Sequence, residues 1–289
     1  MSTDLDLPLP LKSDLEARVQ FFDDNGRRVP GKDARVFGST PSFYYKLNQP
    51  AIDYELVLDK SKRFNSVPQD ETSSGFKSKA EALLEKIKTN DAYANLLKGV
   101  KIPFVTGRKE AGADLGEELE SDLLPGLKES FNARFPEAHF KAVLQSNSEL
   151  TGNVSLALES RYQELISAVE AGTVVGWYFP QALQEFDVLS QRSQMASLPE
   201  IHGAHVCLSG GVDICAAVAG VPDLLISDEF YTPILCMSAY VHRDPRLVLL
   251  LKAYGPHMEF WCMTQMLTRD TTQVSEQWAG GITIYARLD

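Results

Sequence analysis

The sequence predicts an α/β fold with a mostly parallel sheet flanked by helices, and with a smaller strand-rich segment at the N-terminus. From residue 101 onward, short apolar runs alternate with helical patterns, as in proteins whose parallel strands are joined by crossover helices. Before that point, Asn25-Gly26 and Pro30-Gly31 are typical of hairpins and turns. The chain has 289 residues, which is enough for one large or two modest domains.

The composition is typical of a folded protein and argues against several classes of partner. Hydrophobic residues make up 44% of the chain and charged residues 23%, both ordinary for globular domains. The formal net charge of -11 argues against nucleic acid or anionic lipid as a partner. No window approaches eighteen uninterrupted apolar residues, so no membrane span is expected. The N-terminus carries acidic residues where a secretory signal would carry basic ones, and Pro8 and Pro10 interrupt its apolar residues. This pattern favours a cytoplasmic protein over a secreted one.

Residues 1–75 are the predicted strand-rich segment. Strands are expected at 19–22, 34–37 and 51–59, where the pattern is strand-like and turn residues stand between the runs. Residues 60–75 lack periodicity and contain many turn formers, so we expect an exposed loop there. This loop ends the segment, and residues 76–289 are the predicted α/β domain.

The α/β domain is expected to begin with a helix. Phe76, Ala80, Leu83 and Ile87 recur at helical spacing, which predicts an amphipathic helix that runs to about Leu97. Further helices are expected over 114–135 with a bend at Pro125-Gly126, over 153–172, and from Pro180 onward, from capping and proline signals. Strands are expected at Ile102–Val105, His139–Leu144, Val174–Phe179, His205–Leu208, Leu224–Ile226, Leu247–Leu251 and Ile282–Leu288.

The fold class also predicts where a ligand binds. In an open parallel sheet, loops and helix N-termini converge beyond the carboxyl ends of the strands. Four loops should therefore share one edge of the sheet: 106–110, 145–153, 209–213 and 227–233.

The loop 209–213 (SGGVD) has the composition of an anion-binding turn. It follows an apolar run and precedes a small-residue helix that is expected to end at Gly220. Gly210 and Gly211 allow the backbone to approach a phosphate closely, Ser209 offers a hydroxyl, and a helix N-terminus favours negative charge. Asp213 would hold a magnesium ion that accompanies the phosphate.

This stretch resembles the pyrophosphate loop of the ATP pyrophosphatase family, whose pattern is Ser-Gly-Gly-x-Asp-Ser after an apolar strand. The resemblance implies a nucleotide held by its phosphates. Ile214 stands where the family has its final serine, and the loop lies about eighty residues from the C-terminus, whereas the family normally opens its nucleotide domain with it. The alternative is a plain strand-to-helix turn in which Asp213 caps the helix.

Two other loops complete the predicted site. Thr106, Gly107, Arg108 and Lys109 combine a strand end with two adjacent cations, and these cations would supply the positive charge that loop 209–213 lacks. The alternative is a solvated charged turn. Asp228 lies in loop 227–233 and would bind the divalent cation or take part in acid–base chemistry.

Cysteine and histidine are concentrated in the last third of the chain. The four cysteines lie in apolar surroundings, which is typical of reduced, buried thiols. Together with the histidines they leave a zinc site open as an alternative, although no C-x2-C pair or H-E-x-x-H helix is present. The residues concerned are His202, His205, Cys207, Cys236, His242, His257 and Cys262.

Two hypotheses about function follow. The first is a protein that binds a phosphorylated or nucleotide-like small molecule, with magnesium accompanying the nucleotide, in a locally positive pocket on an acidic surface. The second is a noncatalytic structural or partner-binding subunit that forms a homo-oligomer through its N-terminal part. The sequence contains no G-x-S-x-G, complete Walker loop or G-x-G-x-x-G, so it assigns no reaction.

Overall fold

The computed structural model describes residues 20–38, 40, 44–107, 111–144, 149–255, 257–264, 267–268, 271–272 and 274–288. The helices are α1 Tyr54–Phe64, α2 Ser73–Lys88, α3 Leu115–Glu118, α4 Leu124–Arg134, α5 Tyr162–Ala171, α6 Val188–Met195 and α7 Gly211–Gly220. The strands are β1 Ile102–Thr106, β2 Phe140–Leu144, β3 Val154–Leu156, β4 Val174–Gln184, β5 His205–Leu208, β6 Ile234–Cys236, β7 Tyr240–His242, β8 Leu247–Tyr254, β9 His257–Thr264, β10 Leu267–Thr268, β11 Thr271–Thr272 and β12 Trp278–Arg287.

The main sheet has eight strands in the order β1-β4-β12-β6-β8-β9-β2, and β5 pairs with β12. Two smaller sheets of two strands each, β3 with β7 and β10 with β11, complete the strand pairing of the described residues. Helices and a large mixed sheet make this an α/β protein, as predicted.

The prediction of a mostly parallel sheet was wrong. Among the described strands of the main sheet, β6 is parallel to β12 and β2 is parallel to β9, and every other pair is antiparallel. Strands β8 and β9 are separated by residues 255–256, a connection that is long enough for an antiparallel turn and too short for a parallel crossover. A strand buried on both faces has the same continuous apolar pattern in either direction, so composition did not reveal the pairing.

The second half of the chain also has fewer helices than expected. Residues 222–225 form a 3-10 helix where a strand was predicted at 224–226, and no α-helix follows among the residues described after 225. The strands β6 to β12 instead follow one another through short connections, which explains the antiparallel pairing of this part of the sheet.

Helix α1 replaces the strand predicted at 51–59. Asp53 is its N-cap, and the Asp53 carboxylate accepts hydrogen bonds from the backbone N–H groups of Glu55 and Leu56. The buried residues Val57, Leu58 and Ser61 lie at helical spacing. An acidic cap of this kind initiates a helix, and this signal was stronger than the apparent alternation.

Pro180 does not open a helix, because β4 continues through it to Gln184. The pairing of β4 with β12 is irregular at this point: Phe179 is opposite Ile282 and Leu183 is opposite Gly280. A bulge leaves residues without ladder hydrogen bonds, and it therefore accommodates proline inside a strand. The next helix, α6, starts only at Val188.

Helices cover both faces of the sheet around β4. The Trp177 indole N–H donates a hydrogen bond to the Ala80 carbonyl of α2 at 2.8 Å, while an added Cβ at Gly281 of β12 would lie 2.1 Å from the Tyr178 ring beside Ser209. Because successive side chains of a strand point to opposite faces, α2 and the α7 region cover opposite faces. All ten residues of α7 are buried, so this helix is the centre of the core.

The N-terminal residues that the structure describes before α1 pack onto the same core through isolated bridges, not through strands. Phe22 and Arg28 pair across the predicted turn at Asn25-Gly26, and Val36 pairs with Phe186 beyond the end of β4. Phe22, Leu47, Val57, Leu58 and Val67 belong to the hydrophobic cluster that also contains the sheet. The division into 1–75 and 76–289 stays a prediction.

No described helix combines the length and the apolar character that crossing a membrane requires.

Candidate functional site

The predicted loop 209–213 lies in the interior of the protein: Ser209 and Gly210 connect β5 to α7, and residues 211–213 form the first turn of α7. Ser209 and Asp213 are fully buried. An added Cβ would lie 2.7 Å from the Tyr162 ring at Gly210 and 2.6 Å from the Tyr240 ring at Gly211. The two glycines therefore permit a close approach, but the groups that approach in the structure are tyrosine rings.

The Asp213 carboxylate is fully hydrogen-bonded inside the protein. It accepts from the Tyr162 hydroxyl at 2.6 Å, from the Gly210 backbone N–H at 2.9 Å and from the Thr283 hydroxyl. The Ser209 and Thr283 hydroxyls are 2.9 Å apart. Burial raises the pKa of Asp213 above its usual value, and the hydrogen bonds oppose this effect without cancelling it.

The Tyr162 hydroxyl occupies the position where a phosphate at this loop would sit. It accepts a hydrogen bond from the Val212 backbone N–H at 3.1 Å. This N–H is one of the donors at the α7 N-terminus that have no acceptor within the helix. A ligand at this helix end would have to displace the hydroxyl. Phosphate binding at this loop stays a prediction, and it requires that the phosphate displace the Tyr162 hydroxyl. The residues of this predicted site are Ser209, Gly210, Gly211 and Asp213.

The structure does not bring loops 106–110 and 209–213 to one edge. Thr106 at the end of β1 is opposite Val174 at the start of β4, because these strands are antiparallel. Strands β4 and β5 are both antiparallel to β12, so they run in the same direction, and β5 ends at the other end of the sheet from Thr106. Gly107 borders a cleft with several acidic residues, including Asp114 and Glu117. Arg108 and Lys109 lie outside the described residues.

The two predicted magnesium ligands lie in different environments. Asp213 is fully buried, whereas Asp228 is exposed in the loop that precedes β6. Within the described ranges, no group of three or more His, Cys, Asp or Glu side chains could hold a metal ion. The four cysteines are buried and free, as predicted.

A polar cavity of about 640 Å³ lies between the N-terminal residues, residues 98–101 and the carboxyl-terminal half of β4. We call it the N-terminal cavity. Four cationic side chains and one carboxylate line it, which gives a formal charge of +3 on a chain whose net charge is -11. The lining residues are Asp24, Asn25, Arg27, Thr40, Tyr45, Lys46, Leu47, Asn48, Gln49, Lys98, Gly99, Val100, Lys101, Gln181 and Gln184.

At the wall of the cavity, Arg27 forms a buried ion pair with Glu185. The two side chains are 3% and 0% exposed, and Arg27 Nη1 lies 3.5 Å from Glu185 Oε2. Arg27 Nη2 also donates to the Gly38 carbonyl at 2.8 Å. Glu185 has a left-handed backbone, with φ of 68°, which is uncommon for a residue with a side chain. With Glu185 added to the charged side chains that line the cavity, their formal charge is +2.

The lysines lie toward the open side of the cavity. Lys98 is 48% exposed and forms an ion pair with Asp24. The Lys101 ammonium donates to the Leu97 carbonyl at 3.1 Å, and partial burial lowers its pKa. The Gln49 side chain donates to the Lys101 carbonyl and accepts from the Lys101 N–H, both at 3.0 Å. This pair of bonds fixes the segment that carries Lys46 to the segment that carries Lys98 and Lys101.

The sequence analysis missed this cavity. It searched the loops after predicted strands, whereas Lys98 and Lys101 precede β1, and Arg27 comes from a segment that was expected to form separate strands. The spacing of Lys98 and Lys101 was a visible signal, but the sequence contains nothing that places Arg27 beside Glu185.

The chain matches no known family model, curated protein or solved structure.

Proposed function

We propose that the protein binds a small anionic molecule, carrying a phosphate or carboxylate group, in the N-terminal cavity. The observation that carries the proposal is the local excess of positive charge in a cavity of about 640 Å³ on a strongly acidic chain. That volume is within the range of small-molecule sites, roughly 300–1,000 Å³. We place this activity in the cytoplasm, as the sequence analysis expects.

The cations have different roles in this proposal. Lys98 and Lys101 carry the ammonium groups that contact the anion through charge-assisted hydrogen bonds. Arg27 is held by Glu185 and by the Gly38 carbonyl, so it stays in place in the wall and contributes mainly through its electrostatic field. An anion competes with Asp24 for Lys98, because these two side chains pair in the absence of ligand.

Titration calorimetry with inorganic pyrophosphate and with citrate tests the proposal. We expect saturable binding of at least one of the two anions, weaker at higher salt because exposed charges are screened. The double variant Lys98→Gln/Lys101→Gln should raise the Kd at least tenfold. Lys88→Gln is the matched control, since Lys88 is 64% exposed on α2 and does not line the cavity. Absence of binding by both anions, or unchanged binding by the double variant, contradicts the proposal.

The loop 209–213 remains the alternative anion site, with magnesium on Asp213 and Asp228. Tyr162→Phe separates the two sites, because it removes the hydroxyl that a phosphate at the loop would have to displace. If pyrophosphate binds at the loop, this variant should change its Kd and its dependence on magnesium. If it binds in the N-terminal cavity, the Kd should stay at the wild-type value.

Self-association through the N-terminal part is a second candidate function. Tyr44 and Tyr231 are 68% and 70% exposed, and the Tyr231 ring packs against Tyr45 of the N-terminal segment. Exposed aromatic groups that lie together are typical of protein interfaces. Sedimentation velocity should then show a homo-oligomer that Tyr231→Ser dissociates, while Tyr254→Ser at another exposed tyrosine leaves it intact. A wild-type monomer at all concentrations contradicts this candidate.

A further inference from the structure

The N-terminal cavity has one aromatic end. Tyr45 lines it, and the Tyr45 ring lies 6.1 Å from the Tyr231 ring, with 39° between the two planes. The Gln184 side chain donates to the Tyr45 carbonyl at 3.0 Å, which fixes this residue to the end of β4. A flat, partly exposed ring in a polar cavity is suited to stack against a planar ligand group.

The cationic end lies at a limited distance from Tyr45. Gln49 is hydrogen-bonded to the backbone of Lys101, and three residues separate Tyr45 from Gln49. An extended chain covers at most about 14 Å over the four steps from Tyr45 to Gln49. Tyr45, Lys98 and Lys101 also line the same cavity, so one small molecule bound in it can contact both ends.

Amide side chains lie between the two ends. Gln181 donates to Gln184 Oε1 at 3.1 Å, and its own Oε1 accepts no hydrogen bond from the part of the chain that the structure describes. The Asn48 amide also lines the cavity and makes no side-chain hydrogen bond within that part. Amides donate and accept together, as the edges of nucleobases require.

We propose that the anionic ligand is a mononucleotide, with its base stacked on Tyr45 and its phosphate held by Lys98 and Lys101. This inference rests on the proposed function and names the class of ligand for the same cavity. The base edge is then recognised by Gln181 and Asn48. A polymeric nucleic acid is a poor fit, because the cavity is small and the remaining surface is acidic.

Comparison of AMP with ribose 5-phosphate tests the inference, because the two ligands share a phosphorylated ribose and only AMP has a base. Calorimetry should give a Kd for AMP at least tenfold lower. Tyr45→Leu should raise the Kd of AMP roughly tenfold through loss of stacking and leave that of ribose 5-phosphate unchanged. Tyr45→Phe retains the ring and should bind AMP like the wild type. Saturation-transfer NMR should show transfer to the adenine protons.

The possible failures are distinguishable. Equal Kd values for AMP and ribose 5-phosphate overturn the nucleotide inference and leave anion binding intact. An equal loss for both ligands in Tyr45→Leu also overturns it, because Tyr45 then only supports the cavity. If neither ligand binds and pyrophosphate and citrate also fail, the proposed function itself falls.

Discussion

At the scale of single residues, Asp213 shows how a polar group is accommodated in the core. Its carboxylate accepts from Tyr162, Thr283 and the Gly210 backbone N–H. The contact with Gly210 caps α7 from within the helix, since a side chain in the first turn satisfies a backbone donor before it. A buried carboxylate remains costly even with these partners, and this cost is why its pKa is raised.

Tyr162→Phe should destabilise the protein by about 1–3 kcal/mol, because it removes one of the three hydrogen bonds to the buried Asp213 carboxylate and leaves the Val212 N–H without its acceptor. Urea denaturation followed by circular dichroism measures this change. Tyr254→Phe is the control, since Tyr254 is 74% exposed, and its free energy of unfolding should match that of the wild type. Equal stability of Tyr162→Phe and the control would show that the hydroxyl contributes nothing to folding.

The raised pKa of Asp213 predicts a particular pH dependence. The folded protein holds this proton more tightly than the unfolded chain, so the contribution of the group to stability is greatest below the unfolded pKa of about 3.9. It is lost as pH rises through the higher folded pKa. The difference in unfolding free energy between wild type and Asp213→Asn should therefore fall over this range as pH increases. A difference that is independent of pH, or that grows with pH, contradicts the assignment.

At the scale of elements, the central strand β12 depends on its two consecutive glycines. An added Cβ at Gly281 would lie 2.1 Å from the Tyr178 ring and 2.8 Å from Ser209 Oγ, and one at Gly280 would lie 2.4 Å from the Gln191 side chain. Glycine in a strand interior normally weakens it. In β12 it lets the rings and amides of neighbouring elements pack directly on the backbone.

Gly281→Ala should therefore destabilise the protein by about 1–3 kcal/mol through overpacking. The matched control is Gly172→Ala, because no atom lies within 4 Å of the added Cβ at Gly172 and its φ of 168° is accessible to alanine. Thermal unfolding should show a lower Tm for the first variant and a wild-type Tm for the second. The same Tm for both variants would mean that Tyr178 moves aside at little cost.

At the scale of the whole molecule, the N-terminal segment is joined to the sheet by apolar and ionic contacts. Phe22 belongs to the main hydrophobic cluster, and Arg27 pairs with Glu185 directly after β4. Phe37 donates its backbone N–H to the Glu185 carbonyl at 3.0 Å. Such contacts between distant parts of a chain favour cooperative unfolding.

Arg27→Met should shift the whole unfolding curve, because removing one member of a buried ion pair costs about 3–5 kcal/mol. Tryptophan fluorescence, which reports on the sheet, and far-ultraviolet circular dichroism should give coincident curves for wild type and variant. Arg246→Met is the control, since Arg246 is 64% exposed and pairs only with nearby Asp244 among the described residues. A separate early transition, changed alone by Arg27→Met, would instead support an independent N-terminal domain.

Prediction from the sequence succeeded where short-range signals were strong. The periodic apolar residues of α2, the apolar run of β1 and the Gly220 end of α7 each depend on neighbours within a few positions. It failed at 51–59 and at Pro180, where an acidic cap and a bulge decided between helix and strand. The candidate site was missed for a related reason, since its cations lie on segments that only the pairing of strands brings together.

The sequence by itself determined the α/β class, several individual elements and the burial of the cysteines, because local periodicity and composition encode these properties. Only the tertiary structure decided the strand directions, the Tyr162 hydroxyl at the α7 N-terminus and the cationic cavity beside β4. Each of these depends on contacts such as Arg27 with Glu185 or Tyr162 with Asp213. Such contacts join residues far apart in the chain, and their free energy comes from burial and pairing that no local pattern specifies.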